Sequence, residues 1–438
     1  MKAQRALGTW ALVFVMYFNT SGGPFTTETL VQQVGPGLAL LMLVLVPLVW
    51  SLPEVLIIGE LASMLPEEGG YYRWVQRAFG DFWAFQNGWI TWMYSLVDMA
   101  LYPILFNQYL KYFVPGLSGG LAWGVSLAVI WGATAINLRG ASRVGTTSIV
   151  AGLLVVGAFL LAALAALPRA AHAPWTPFVA PGLQPARGLA VGLSIALWNY
   201  IGWDNASTVG GEIRDPGRTY PRALGLALPL VTVGYLFPLL AMLAAGDWST
   251  WTEGGWPQIA RATGGAFGPA LATLVALAGM VSALALFNAL LMAYSRIPFV
   301  MALDGLLPKA LERTDARGTP RNAVIAAALV YSVFVLVPFG ELLIADVLLY
   351  AYALMLEFGA LVVLRRKEPG LRGPFRIPVG RGGVIALAAM PLAVLIFVMG
   401  VSFYDGEYGL PAVLGALAAS AAGLFVYPLM AARRRRGT

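Results

Sequence analysis

Seven acidic side chains fall inside or beside long apolar stretches of this chain: Glu28, Glu54, Glu60, Asp98, Asp204, Asp346 and Glu357. No Lys or Arg is expected deep within the same stretches. A carboxylate in an apolar medium costs roughly 3 kcal/mol on insertion scales, so it defaults to a functional reading. It persists only if it is protonated, hydrogen-bonded or neutralised by a cation. Acids without bases therefore point to cation chemistry: reception of an ammonium group, handling of a proton, or both.

Spacing ranks these acids. Asp98 shares a helix face with Tyr94 and Tyr102 at i±4, and Pro103 can bend the helix beside it. Asp346, Tyr350, Ala353 and Glu357 run i, i+4, i+7, i+11 and line one face. Glu357 lies toward one end of that face, where it suits a proton relay or a gate; the competing reading is pairing with Arg365 or Arg366. Glu54 follows Pro53, and a kink there gives a carboxylate a niche. Asp204 follows a break in the pattern and serves either a ligand or the cap of the next half-helix. Glu60 reads as structural. Glu28 reads as an attractor of cations or a hydrogen-bonded member of the helix bundle.

Two interruptions position these groups. Asn19, Thr20, Ser21, Gly22, Gly23, Pro24 and Phe25 occupy the middle of the first apolar stretch. Paired glycines weaken a helix there, and proline removes a donor and clashes with the preceding turn. Trp198, Asn199, Tyr200, Ile201, Gly202, Trp203 and Asp204 do the same in the sixth stretch. The breaks head successive five-helix blocks, 8–167 and 188–364. Five is odd, so the second block is expected to lie upside down relative to the first. Broken helices at matching positions of inverted halves mark a transporter binding site, where freed amides hold anions and freed carbonyls hold cations. An ordinary pair of kinks is the plain alternative.

Composition sets the medium. Charged residues are 11% of the 438 and apolar ones 59%, with mean hydropathy +0.75, which a soluble fold could not bury. Twelve spans are expected near 8–34, 36–63, 82–113, 119–138, 143–167, 188–210, 222–244, 267–297, 321–339, 342–364, 382–402 and 409–430. With the N-terminus inside, all of the 28 Lys and Arg except Lys111, Arg169, Arg187 and Arg261 fall on the inner side. That bias predicts an even number of spans and two cytoplasmic termini, and it explains the basic balance without nucleic acid. The first span is expected to stay as an anchor rather than be cleaved.

Other chemistries find no support. The single histidine, His172, offers no metal cluster or relay, no cysteine exists, and no phosphate-binding Gly-Lys-Ser/Thr loop appears. No cofactor or metal is therefore expected. A non-transporting sensor or subunit would be expected to carry an appended domain, and 433–438 is only a short tail.

At this point the chain resembles a known family. SGGPFTTE (21–28), PEVLIIGELASMLPEEGGYYRWV (53–75) and WNYIGWDNASTVGGEIRDPGRTYPRAL (198–224) are similar to the amino acid–polyamine–organocation superfamily. VDMALYPILF (97–106), RIPFVMALDGLLP (296–308), LLYAYALMLEFGALVVLRRKEP (348–369) and GPFRIPVG (373–380) resemble its polyamine uptake branch, close to the L-type amino acid transporters. The resemblance implies an all-α membrane fold with ten core helices in two inverted repeats, helices 1 and 6 broken, and two peripheral helices over 382–430. It implies that backbone at Ser21, Gly22 and Gly23 holds a substrate carboxylate where there is one, and that 199–204 forms the opposite wall. It carries the polyamine branch's acids onto Asp98 and Glu357. Leu290 and Tyr294 stand where plant members carry acids in helix 8, Gly202 follows Ile201 where they carry a bulkier polar pair, and SRVGTTS (142–148) lacks the lysine of some relatives.

Together these readings predict proton-coupled uptake of polyamines or other small cationic amines, or of amino acids, by alternating access in a plasma or bacterial inner membrane. Asp98 and Asp204 would receive the ammonium, with Tyr102, Asn199, Tyr200 and Trp203 shaping the pocket. Glu54 or Glu357 would carry the proton. The alternative is a neutral amino acid permease or exchanger that uses the amides of 21–23.

Overall fold

The computed structural model describes residues 5–336, 339–405 and 410–437, without the side chains of 185–187, 339–345, 402–405, 410–412 and 435–437. Lys2 and the side chains of Arg187, Arg435 and Arg436, part of the charge bias, lie outside the described residues.

A chain this apolar must satisfy its backbone internally, and it does so with helices. The first break separates α1 (Thr9–Thr20) from α2 (Thr27–Val34). Gly35, at φ +93°, turns the chain into α3 (Pro36–Met64), which carries a π-helical turn at Pro47–Ser51. Next come α4 (Tyr71–Phe79), α5 (Asp81–Leu110), α6 (Gly119–Asn137), α7 (Ala141–Ala166) and α8 (Pro185–Trp198), which ends at the second break. The remainder is α9 (Pro216–Ala245), α10 (Trp256–Thr263), α11 (Gly268–Tyr294), α12 (Arg296–Leu303), α13 (Arg321–Phe334), α14 (Phe339–Lys367), α15 (Arg381–Asp405) and α16 (Leu410–Gly437).

Among the described residues, nine helical stretches are long and apolar enough to cross a membrane. Three shorter apolar helices, α1, the 188–198 part of α8, and α13, lie at the expected first, sixth and ninth spans. The core forms where α5 packs on α11 and α14, and where α1 packs on α7, α9 and α11. By contrast, the apolar windows of α15 and α16 are only 22% and 17% buried, against 67% for α5 and α14.

Two local expectations change. Beyond the second break no regular half-helix follows, only 3-10 turns at Asn205–Thr208 and Gly210–Glu212. The Asp204 side chain caps neither of them. Arg296, expected in a polar loop, sits inside the continuous stretch Gly265–Leu303 and is 1% exposed. At 39 residues this stretch is about 58 Å long, well beyond a hydrocarbon layer of about 30 Å, and Arg296 lies near its arginine-rich end rather than deep within a span.

Candidate functional site

The two breaks touch. Gly22 and Gly23 adopt φ +66° and +125°, and Gly202 adopts φ +102°, conformations that side chains disfavour. A Cβ on Gly202 would lie 2.3 Å from the Asn19 carbonyl oxygen, so helix 1 rests directly on the backbone of the sixth-span break. The Gly22 carbonyl accepts a hydrogen bond from the Ser282 hydroxyl of α11, which ties the first break to that helix.

Between the breaks lies a cavity of about 20 Å³, the size of one water. Ser21 and Gly202 form its backbone-rich side, and Asp98, Tyr102, Trp198, Tyr294, Asp346 and Tyr350 line the rest. Both carboxylate oxygens of Asp98 are occupied: one accepts from the Tyr102 hydroxyl, the other from Tyr294 at 2.7 Å. Tyr102 stacks on Trp198 with ring centroids 6.5 Å apart. Tyr94 donates to Asn205 at 3.0 Å, joining α5 to the turn after the second break.

Behind this cavity, Tyr350 stands between two more acids. Its hydroxyl meets Glu54 of α3 and, at 2.7 Å, Asp204, and it accepts from the Gly202 amide at 2.9 Å. A phenol carries one proton and cannot donate to both carboxylates. A second proton, on Glu54 or Asp204, is therefore needed to complete the pair of hydrogen bonds.

The expected residues divide accordingly. Ser21, Asp98 and Tyr102 line the cavity, and Asp204 and Glu54 reach it through Tyr350. Gly22 and Gly23 do not line it, and the amides of 21–23 are engaged: Ser21 and Gly22 donate to the Tyr17 carbonyl, and Gly23 donates to the Ser21 hydroxyl. Asn199 donates to Thr26, Tyr200 to the Leu43 carbonyl, and the Trp203 indole to the Tyr200 carbonyl, so these three brace the break rather than face the cavity. Glu357 is buried away from the cavity, with Asn87 at a marginal 3.5 Å; Arg365 pairs with Glu60 at 2.5 Å instead. Glu28 accepts from the Gly254 amide at 2.9 Å. Tyr294, Asp346 and Tyr350 were not among the expected binding residues. The i, i+4 spacing of Asp346 and Tyr350 was the available signal, while nothing in sequence marked Tyr294 as the partner of Asp98. Among the described residues no acid or histidine cluster suited to a metal occurs.

The cavity is shut at both ends. At one, the Trp256 indole donates to the Pro24 carbonyl at 2.8 Å and Gln32 to the Trp251 carbonyl at 3.2 Å. At the arginine-rich end, the Ala6 and Leu7 amides donate to the Glu212 carbonyl and the Gly69 amide to Thr208. Arg296 locks this end by bonding the Glu212 carboxylate, with Glu68 3.5 Å away. Two carboxylates offset the cost of burying its guanidinium.

Burial pushes the Glu68 carboxyl up to about 7 from 4.5, with Arg296 pulling it down and Glu212 pushing it further up. A closed end that raises this pKa binds more protons than an open one, in which Glu68 meets water. Closure is then strongest below about 4.5 and weakens as pH climbs to about 7, a modest effect because the side chain stays 24% exposed. Thiol labelling of a Ser207→Cys variant of this cysteine-free chain should accelerate over that window beyond the rise of an exposed reference thiol. Glu68→Gln should flatten the difference; an unaltered slope would remove Glu68 from the seal.

Residues 7–419 match the amino acid permease family. The chain is 34% identical to the polyamine transporter PUT1 of Oryza sativa subsp. japonica, over 97% of this chain and 78% of that protein. It is 33% identical to the polyamine transporter RMV1 of Arabidopsis thaliana, over 97% and 85%. Against the branched-chain amino acid permease BcaP of Lactococcus lactis subsp. cremoris the identity is 26%, over 74% and 72%. With its apolar helices and this extent of match, the chain is a multi-pass membrane protein and belongs to the amino acid permease family.

Proposed function

We propose that the chain carries polyamines or other small cationic amines across a membrane by alternating access, coupled to protons. The observation that carries this reading is the cavity at the contact of the two breaks, walled by the acids Asp98 and Asp346 and by tyrosines, with no basic side chain in its lining. Such a wall attracts a cation and repels a carboxylate. Proton coupling draws support from Tyr350, whose one proton serves two acids: Glu54 or Asp204 must gain or lose a proton if α14 and the second break separate. This favours Glu54 over Glu357 as the carrier.

A second reading is amino acid transport, favoured by the likeness to the Lactococcus permease. The engaged amides of 21–23 weigh against a carboxylate in this conformation. Twelve crossings, two inverted halves over 8–167 and 188–364, and cytoplasmic termini complete the proposal, supported by the bias in basic residues. A plasma or bacterial inner membrane is the proposed location.

The test is flux through the purified chain in liposomes. Labelled putrescine should accumulate under an imposed inside-alkaline gradient and stop when a protonophore is added. Asp98→Asn should lower uptake about tenfold or more, because Tyr102 and Tyr294 lose their shared charged acceptor. Gradient-driven uptake of leucine with no uptake of any amine would overturn the amine reading.

A further inference from the structure

Among the acids near the cavity, Asp346 differs in one respect. It is fully buried and lines the cavity, yet neither carboxylate oxygen has a hydrogen-bond partner among the described residues. Asp98, across the same space, already accepts from two phenols. Glu54 and Asp204 are bridged by Tyr350, one turn along α14 from Asp346. A carboxylate offers about four acceptor sites, and a buried one left unused is rare.

The geometry points to Asp346 as the group that receives the substrate's ammonium directly, with Asp98 as the acid that positions Tyr102 and Tyr294 around it. This rests on the reading of the chain as an amine carrier. Three features of the site agree on the ligand class. An ammonium group is about the size of the water that the 20 Å³ cavity admits. A primary ammonium brings three donors to an acid whose acceptors are open, whereas a quaternary ammonium brings none. The stacked faces of Tyr102 and Trp198 supply an aromatic wall for the adjoining methylenes and for cation–π attraction. The rest of the substrate has no room in the closed cavity, so it lies along whichever path opens when the helices part.

The test is binding of labelled putrescine to the full chain in nanodiscs, with melting of the ligand-free protein measured alongside. Asp346→Asn should weaken binding about 30-fold or more. It should melt no earlier than the wild type without ligand, because the Asp346 carboxyl makes no hydrogen bond there for the change to break. Asp346→Glu should regain part of the affinity, and a bis-quaternary diamine should not compete. Wild-type affinity in a folded Asp346→Asn or Asp346→Ala protein would overturn the assignment while leaving the functional reading in place. Failure of both variants to fold would make Asp346 a structural acid and overturn it too. A wild-type chain that binds no amine would overturn both.

Discussion

A Gly202→Ala chain is expected to lose uptake entirely and to melt well below the wild type. The added carbon would sit 2.3 Å from the Asn19 carbonyl oxygen, a backbone atom that cannot swing aside. The residue would also be held at φ +102°, which costs a side-chain-bearing residue about 1–3 kcal/mol. Overpacking adds about 1–3 kcal/mol. Both penalties act where the two breaks meet, so the helices must move apart and the Gly202 amide must leave Tyr350. Gly225→Ala in α9 is the control: nothing lies within 4 Å of the added carbon, and a helical alanine stabilises by about 0.5–1 kcal/mol. Fluorescence-detected melting and liposome uptake measured on both variants decide the matter. Wild-type flux in Gly202→Ala would show that the breaks do not need this contact.

The second large effect concerns Arg296. Arg296→Met should destabilise the protein by about 3–5 kcal/mol, since it strands the buried Glu212 carboxylate that now shares the guanidinium with Glu68. Adding Glu212→Gln should recover most of that loss, because the pair is then removed with its desolvation cost. A double-mutant cycle on melting temperature reads the coupling directly. If the double variant were no better than Arg296→Met, the ion pair would not be what holds that end. With the fold kept but the lock gone, Ser207→Cys labelling should be faster in the double variant than in the parent.

Much of this architecture was legible because its signals are local. Gly22, Gly23 and Pro24 fall in consecutive positions and together weaken a helix locally, and Asn199 and Gly202 lie within one turn of each other in the second break. Apolar stretches punctuated by arginines define helices in lipid without reference to their neighbours. The peripheral place expected for 382–430, by contrast, came from the family resemblance and not from any local signal. The site itself was only partly legible. Helical periodicity gives the face on which Asp98 or Asp346 sits, but not which faces meet, so Tyr294 of α11 went unnoticed as the partner of Asp98. Within the second break there is no helical period at all. Neighbouring side chains there point in unrelated directions: Asn199 to Thr26, Tyr200 to Leu43 and Ile201 to the cavity. Arg296 was read as a loop residue because basic side chains usually mark loops; its two acidic partners lie 84 and 228 positions away in the chain.

The shortness of α1 bears on how the protein is made. Its 12 residues give about 18 Å of helix, against a hydrocarbon layer of about 30 Å. When α1 leaves the ribosome it therefore cannot bridge the bilayer as a regular helix. Its packing partners α7, α9 and α11 begin only at residues 141, 216 and 268. α1 is thus synthesised ahead of all three partners, and its packing is completed only when the last of them, α11, has followed. The same interruption that opens backbone to a ligand delays assembly, so a variant that healed the break would insert promptly and carry nothing.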